Sequence, residues 1–325
     1  MTYLGTLCLV LLTTAFAGSI SRRVGMPAVI GQLLVGIILG PAMLGWVTSN
    51  NFVHIFSEIG VVILMFMAGL ESDLDLLKKY LKPATSVALF GVIAPIILVY
   101  LLGRIYNFTN EEAIFLGVTF AATSVSISVE VLKELKKLDT KEGTTILGAA
   151  VIDDILAVLI LSVLVSIFSD VAQAEGGHTQ SNLGVGILIQ VIYFIGIYLV
   201  FRWIAPLLMK ISEKLPISSS EILMSLVICL GMAFFADLVG LSAVVGSFFA
   251  GVAVAQTPYK QEIDSSIEPI GYAVFIPMFF VSIGLNMTFK GLLTNWLFIV
   301  ILLVLALLTK WGGCGLGAKM LGMSW

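Results

Sequence analysis

The feature that most constrains this chain is a succession of apolar runs, each about as long as a bilayer is thick. Crossing a hydrocarbon core takes about 20 helical residues. Eleven segments qualify: 3–20, 27–46, 55–71, 84–103, 112–131, 144–168, 184–206, 219–238, 240–256, 267–287 and 293–318. In lipid every backbone N–H and C=O must be satisfied within the protein, so runs of this kind are helices. Only 11% of the 325 residues are charged and 59% are hydrophobic, whereas soluble domains carry roughly 25% charge. The expectation is an all-α polytopic membrane protein, with the lipid bilayer and not nucleic acid as its surroundings.

The cysteines, Cys8, Cys229 and Cys314, lie far apart in apolar runs and suggest neither a disulfide framework nor a metal site. His54 and His178 stand alone in polar loops, and no cofactor is expected. No basic residue precedes the first run, and Arg22 and Arg23 follow it. That order fits a first transmembrane helix with its N-terminus outside better than a cleaved signal.

Lys and Arg positions test the span count. With the N-terminus outside, fourteen of the seventeen basic residues fall on the inner side: Arg22, Arg23, Lys78, Lys79, Lys82, Lys133, Lys136, Lys137, Lys141, Arg202, Lys210, Lys214, Lys260 and Lys319. The outer side holds only Arg104 and Lys290, and Lys310 falls within a span. Such an asymmetry supports both the count and the orientation. The segment 169–183, which has no Lys or Arg, is then an outer loop.

An internal repeat is also legible. "AVIGQLLVGIIL" (Ala28 to Leu39) aligns with "AVVGSFFAGVAV" (Ala243 to Val254), matching Gly31 and Gly36 with Gly246 and Gly251. The following helices share Ile59-Gly60 with Ile270-Gly271, and Gly69-Leu70 with Gly284-Leu285. Helix 27–46 runs outward and helix 240–256 inward, so the repeat is inverted, a mark of secondary transporters with a site near the midplane. The expected organisation is a first repeat over 1–168, a linker helix over 184–206 and a second repeat over 219–325. Mates for the fifth and sixth helices would follow Trp325, so the sequence reads as eleven of about thirteen helices.

Asp153 and Asp154 lie side by side in "GAAVIDDILAVL", about ten residues into the sixth span. At 1.5 Å per residue that is roughly 15 Å deep, where even a permissive insertion scale puts Asp at about 2.5–3.5 kcal/mol. Helix neighbours point about 100° apart, so one aspartate can face a cavity while the other meets a partner helix. Lys310 is the one basic residue deep in a span, at matching depth, and is the candidate partner for a carboxylate. Snorkelling to the interface is its alternative. The fifth span carries Thr123, Ser124, Ser126 and Ser128 near the midplane, with few strong helix formers. A local break there would free carbonyls for an ion, and plain hydroxyl packing between helices is the competing reading. Asp237, Glu71 and Asp73 sit near helix ends and read as solvated rim charges.

The chain resembles the monovalent cation:proton antiporters, bacterial sodium/proton exchangers of the NapA kind. The likeness runs through "MPAVIGQLLVGIILGP", "EIGVVILMFMAGLESDL", "TSVSIS", "VIDD" and Lys310. It implies a homodimer in the bacterial inner membrane whose core domain moves against a dimer domain. Carried over, Asp154 is the carboxylate that binds the transported Na+ or the proton, with Thr123, Ser124 and Ser126 nearby. Asp153 becomes the partner of Lys310. Relatives that move potassium often have Gln or Asn in place of Asp153, so the pair favours Na+ (or Li+) and electrogenic exchange. In the family a second broken helix follows the lysine helix, and it is not found before Trp325. The rivals are a potassium/proton antiporter, a symporter of similar architecture and an intramembrane aspartyl protease. A protease needs its two carboxylates on facing helices, sharing a proton, whereas these two are adjacent on one.

Overall fold

In the computed structural model, which describes residues 3–172, 183–217, 219–289 and 295–323, the chain is built of helices, with no β-strand among the described residues. The first half comprises α1 (Tyr3–Arg23), α2 (Ala28–Leu39), α3 (Asn51–Glu71), the short α4 (Leu74–Lys79), α5 (Leu81–Ile105), α6 (Asn110–Ala121), α7 (Val125–Glu134) and α8 (Lys141–Ala172). Then come α9 (Leu183–Leu199), α10 (Ala205–Ser212), α11 (Ser220–Leu238), α12 (Ala243–Ala255), α13 (Lys260–Ile270), α14 (Ile276–Leu285) and α15 (Trp296–Met320). Among the described residues eight helices are long and apolar enough to cross a membrane, and α2 and α12 are shorter apolar ones. His178, Lys290 and most of the expected outer loop 169–183 lie outside the described residues; 169–172 still belong to α8.

Four expectations about the spans are corrected. The run 27–46 holds a helix of only 12 residues, because Gly40 turns extended (ψ 178°) and Pro41 follows, which ends a helix. Likewise 240–256 yields 13 helical residues, since Gly240 adopts φ +78° and Ser242 caps the helix only afterwards. The runs 184–206 and 267–287 extend further, to Ser212 and back to Lys260, each through one π-helical turn, Val200–Ile204 and Gly271–Phe275. Both π turns lie just before a proline, Pro206 and Pro277. Proline has no N–H for the carbonyl four residues back and its ring crowds that carbonyl, a conflict that a widened turn relieves.

The helices pack as two bundles. One contains α1, α2, α3 and α11 to α14, and the other α5 to α8 with α15, α7 lying at the seam between them against α8 on one side and α2 and α3 on the other. The first is held by close backbone contact. A Cβ at Gly36 would lie 2.8 Å from the Gly284 Cα, and one at Gly251 would lie 2.9 Å from the Gly69 Cα. Gly36 on α2 thus meets α14 while Gly251 on α12 meets α3, the reciprocal crossing expected of two copies related by a two-fold axis. Gly60 and Gly271, the next aligned pair, also face each other's helices: Gly60 meets Phe275, and Gly271 meets Ile63 and Met67. Small residues that let backbones touch take the place of a hydrophobic driving force, which lipid does not supply.

The second bundle uses the same device to place its lysine. On α15, Gly313 and Gly317 lie against the carbonyls of Phe90 and Ser86 on α5, and the Ser86 hydroxyl donates to the Gly317 carbonyl at 2.9 Å. Leu303, Leu307 and Trp311 point outward. This contact turns Lys310, between the two faces, toward the interior.

Candidate ion-binding site

The fifth span is broken where the hydroxyl run begins. α6 ends at Ala121, Ala122 turns extended (ψ 135°), and α7 starts at Val125. Ser124 is the N-cap, accepting the Ile127 N–H at 3.4 Å, and Ser128 donates to the Ser124 carbonyl at 3.0 Å. Short hydroxyl side chains offer the backbone local partners outside the helix, which is why this stretch leaves the helix without a proline. The break leaves the C-terminal carbonyls of α6, its negative end, pointing into the protein.

Lys310 occupies that end. Its ammonium donates to the Ala121 carbonyl, to the Thr123 hydroxyl at 2.6 Å, and across 3.5 Å to Asp153 Oδ2. The expected partner, Asp153, is therefore present but is the most distant of the three acceptors. The capping of α6 by Lys310 was not foreseen from sequence, because a backbone carbonyl leaves no mark on residue type. Asp153 is 3% exposed, and its Oδ1 has no hydrogen-bond partner within ordinary distance among the described residues. The Thr123 hydroxyl and backbone N–H also face this carboxylate.

Asp154 differs from its neighbour. It is half-buried, and no hydrogen bond or ion pair to it is found among the described residues. The two aspartates thus divide as their 100° separation on α8 requires: one is packed against α15 and the chain break, and the other is left open. Ser126 is buried in the first turn of α7, Thr123 is half-buried and bonded to Lys310, and the exposed Ser124 is occupied as a cap.

The charges near helix ends divide as well. Asp73 and Asp237 are exposed, and Asp73 caps α4. Glu71 is not a solvated rim charge: it pairs at 2.7 Å with Lys133, whose side chain is only 7% exposed. Helical spacing on α7 was the signal that sequence reading passed over. Glu130, Lys133 and Glu134 share one face, and that face meets the other bundle.

The fold matches that of a solved structure of the sodium proton antiporter MjNhaP1 from Methanocaldococcus jannaschii, with a TM-score of 0.66. The match covers all of this chain and 80% of that one at 16% identity. The family model described as sodium/hydrogen exchanger, transmembrane, matches residues 9–325. The chain belongs to the sodium/hydrogen exchanger family. A relative described as a Na(+)/H(+) antiporter from Enterococcus hirae is 55% identical over 321 residues, covering 98% of this chain and 82% of the relative. The Na(+)/H(+)-K(+) antiporter GerN of Bacillus cereus is 44% identical over 316 residues, 97% of this chain and 80% of GerN.

Proposed function

We propose that this protein exchanges Na+ (or Li+) for H+ across the bacterial cell membrane, with Asp154 as the carboxylate for which the two ions compete. The observation that carries the reading is the contrast on α8: Asp153 is engaged with Lys310, while Asp154, at the same depth, is half-buried and without a partner among the described residues. A carboxylate partly withdrawn from water binds a partly dehydrated cation, and protons displace the cation as pH falls. In this reading the broken helix contributes the Ser126 hydroxyl and the positive start of α7 to the ion. Exchange follows when the site bundle moves against the other bundle only while loaded with a cation or with protons.

In this reading the site bundle is the moving core, and the bundle of α1 to α3 and α11 to α14 is the fixed part through which two copies pair as a homodimer. The two halves, 1–168 and 219–325, are inverted repeats joined by the segment 184–206. The N-terminus faces outside, and the 132–143 connection faces the cytoplasm, as the basic-residue asymmetry supports. The protein carries out transport and no covalent chemistry.

A second reading, potassium as a further cargo, is favoured by one observation, the name of GerN at 44% identity. Everted vesicles with a fluorescent pH probe decide between them. The sodium reading predicts dequenching on adding Na+ or Li+ and none with K+; a K+ response of equal size would replace it with the second reading.

A further inference from the structure

The side-chain bonds crossing between the bundles gather at the inner end of α7. Glu130 accepts the Tyr272 hydroxyl at 3.1 Å, and Lys133 meets Glu71 and also lies over the Tyr272 ring, 5.3 Å from its centre. Glu134 reaches furthest. Both its oxygens accept the backbone N–H of Ala28, at 3.0 and 2.8 Å, and Arg22 lies 3.6 Å away. Ala28 begins α2, and the preceding Pro27 has no side chain with which to cap it.

The repeat mate of α2 sharpens this. α12 is preceded by Ser242, whose own hydroxyl accepts the Val244 N–H at 3.3 Å. One member of the pair caps itself, whereas the other takes its anion from the opposite bundle, 106 residues along the chain. An uncapped helix start holds orphan N–H groups and the positive end of the dipole, for which a carboxylate is the fitting partner. When the bundles slide, α2 must give up that cap.

We infer that Glu134 is a positioning residue of the exchange cycle, latching the inner end of α7 to the start of α2 so that the two bundles part there only when the site is loaded. The inference rests on the exchanger reading above and on its orientation. The latch holds the inner side shut, and the fraction of molecules open to the cytoplasm sets the apparent affinity for ions arriving from that side.

Two measurements on the full protein test it. The first, hydrogen exchange on the purified protein, does not depend on transport. Glu134→Gln should speed exchange of the amides of residues 28–30 by about tenfold or more, because local opening there becomes easier. Amides 243–245, at the start of α12, should not change. Equal protection at residues 28–30 in variant and wild type would overturn the latch. The second uses flux in everted vesicles. Glu134→Gln should lower the KM for bath Na+ about three- to tenfold while changing turnover less, as a shift in the open population requires. An unchanged KM in a variant that folds would count against the gating role. Met26→Cys with Leu135→Cys, in a background lacking Cys8, Cys229 and Cys314, provides a variant that keeps Glu134. Bridging the pair with a reducible bifunctional thiol reagent should abolish flux, and reduction should restore it; a bridged protein exchanging at the unbridged rate would overturn the proposal. Absence of Na+-driven flux in the unbridged protein would instead refute the exchanger reading, leaving the hydrogen-exchange result to decide whether the latch exists.

Discussion

The two bundles solve opposite problems with one vocabulary of small residues. In the bundle of α1 to α3 and α11 to α14, glycines meet glycines across the repeat, and the middle of α3 from Val62 to Leu70 is buried without a break. Its centre is apolar and close-packed, and a backbone in that state has little room to adjust. In the bundle of α5 to α8 and α15, glycines on α15 serve to carry a charge inward, and the interior holds a lysine, two carboxylates and a helix that stops midway. The difference teaches where each part can fail. The first loses stability when volume is added, and the second when one charge is removed and its partner stays.

The largest effect on stability should come from splitting the charged group. Lys310→Met removes the ammonium and leaves Asp153 at 3% exposure without its counter-charge. Breaking a buried pair from one side costs about 3–5 kcal/mol, and the Ala121 carbonyl loses its donor as well. Asp153→Asn with Lys310→Met together should cost clearly less than the sum of the two single changes, a coupling that thermal unfolding in detergent measures as a double-mutant cycle. Strict additivity would mean that Lys310 serves mainly the end of α6, which its shorter contacts to Ala121 and Thr123 already partly indicate.

A somewhat smaller effect is expected in the other bundle. Gly251→Val sets a Cβ against the Phe66 carbonyl and the Gly69 Cα, and overpacking of this kind costs about 1–3 kcal/mol or more. Its repeat mate Gly36→Val, set against Val281 and Gly284, should cost about the same. Unequal melting losses for the two would break the claim that the crossings are equivalent. The smallest effect should follow Thr123→Val, which keeps the shape and removes one acceptor from Lys310. A single hydrogen bond to a charged group is worth about 1.5–3 kcal/mol, and the carbonyl and carboxylate that remain should hold the loss to the low end.

Much of this was legible in the sequence because lipid leaves few choices. Apolar length and the glycine alignment 28–39 with 243–254 point to helices and to their pairing. The broken fifth span was legible too, from hydroxyl residues standing where helix formers belong. What escaped was set by backbone geometry rather than residue type. That 27–46 folds as 12 helical residues depends on how Gly40 and Pro41 turn the chain. The pairing of Lys310 with the Ala121 carbonyl depends on the depth at which α6 stops. Lys133 and Glu71 looked like inner-rim charges because each lies near a helix end, and only their approach to 2.7 Å shows that they face each other.

Sodium-driven proton flux in everted vesicles tests the inequality of the two aspartates most directly. Asp154→Asn keeps the size of the side chain and removes the charge for which Na+ and H+ compete in the proposed function, which therefore predicts flux lower by about 100-fold or more. The double change Asp153→Asn with Lys310→Met should retain measurable exchange, because the open carboxylate is still present. Sodium/proton exchange by Asp154→Asn at a rate near that of the wild type would contradict the account.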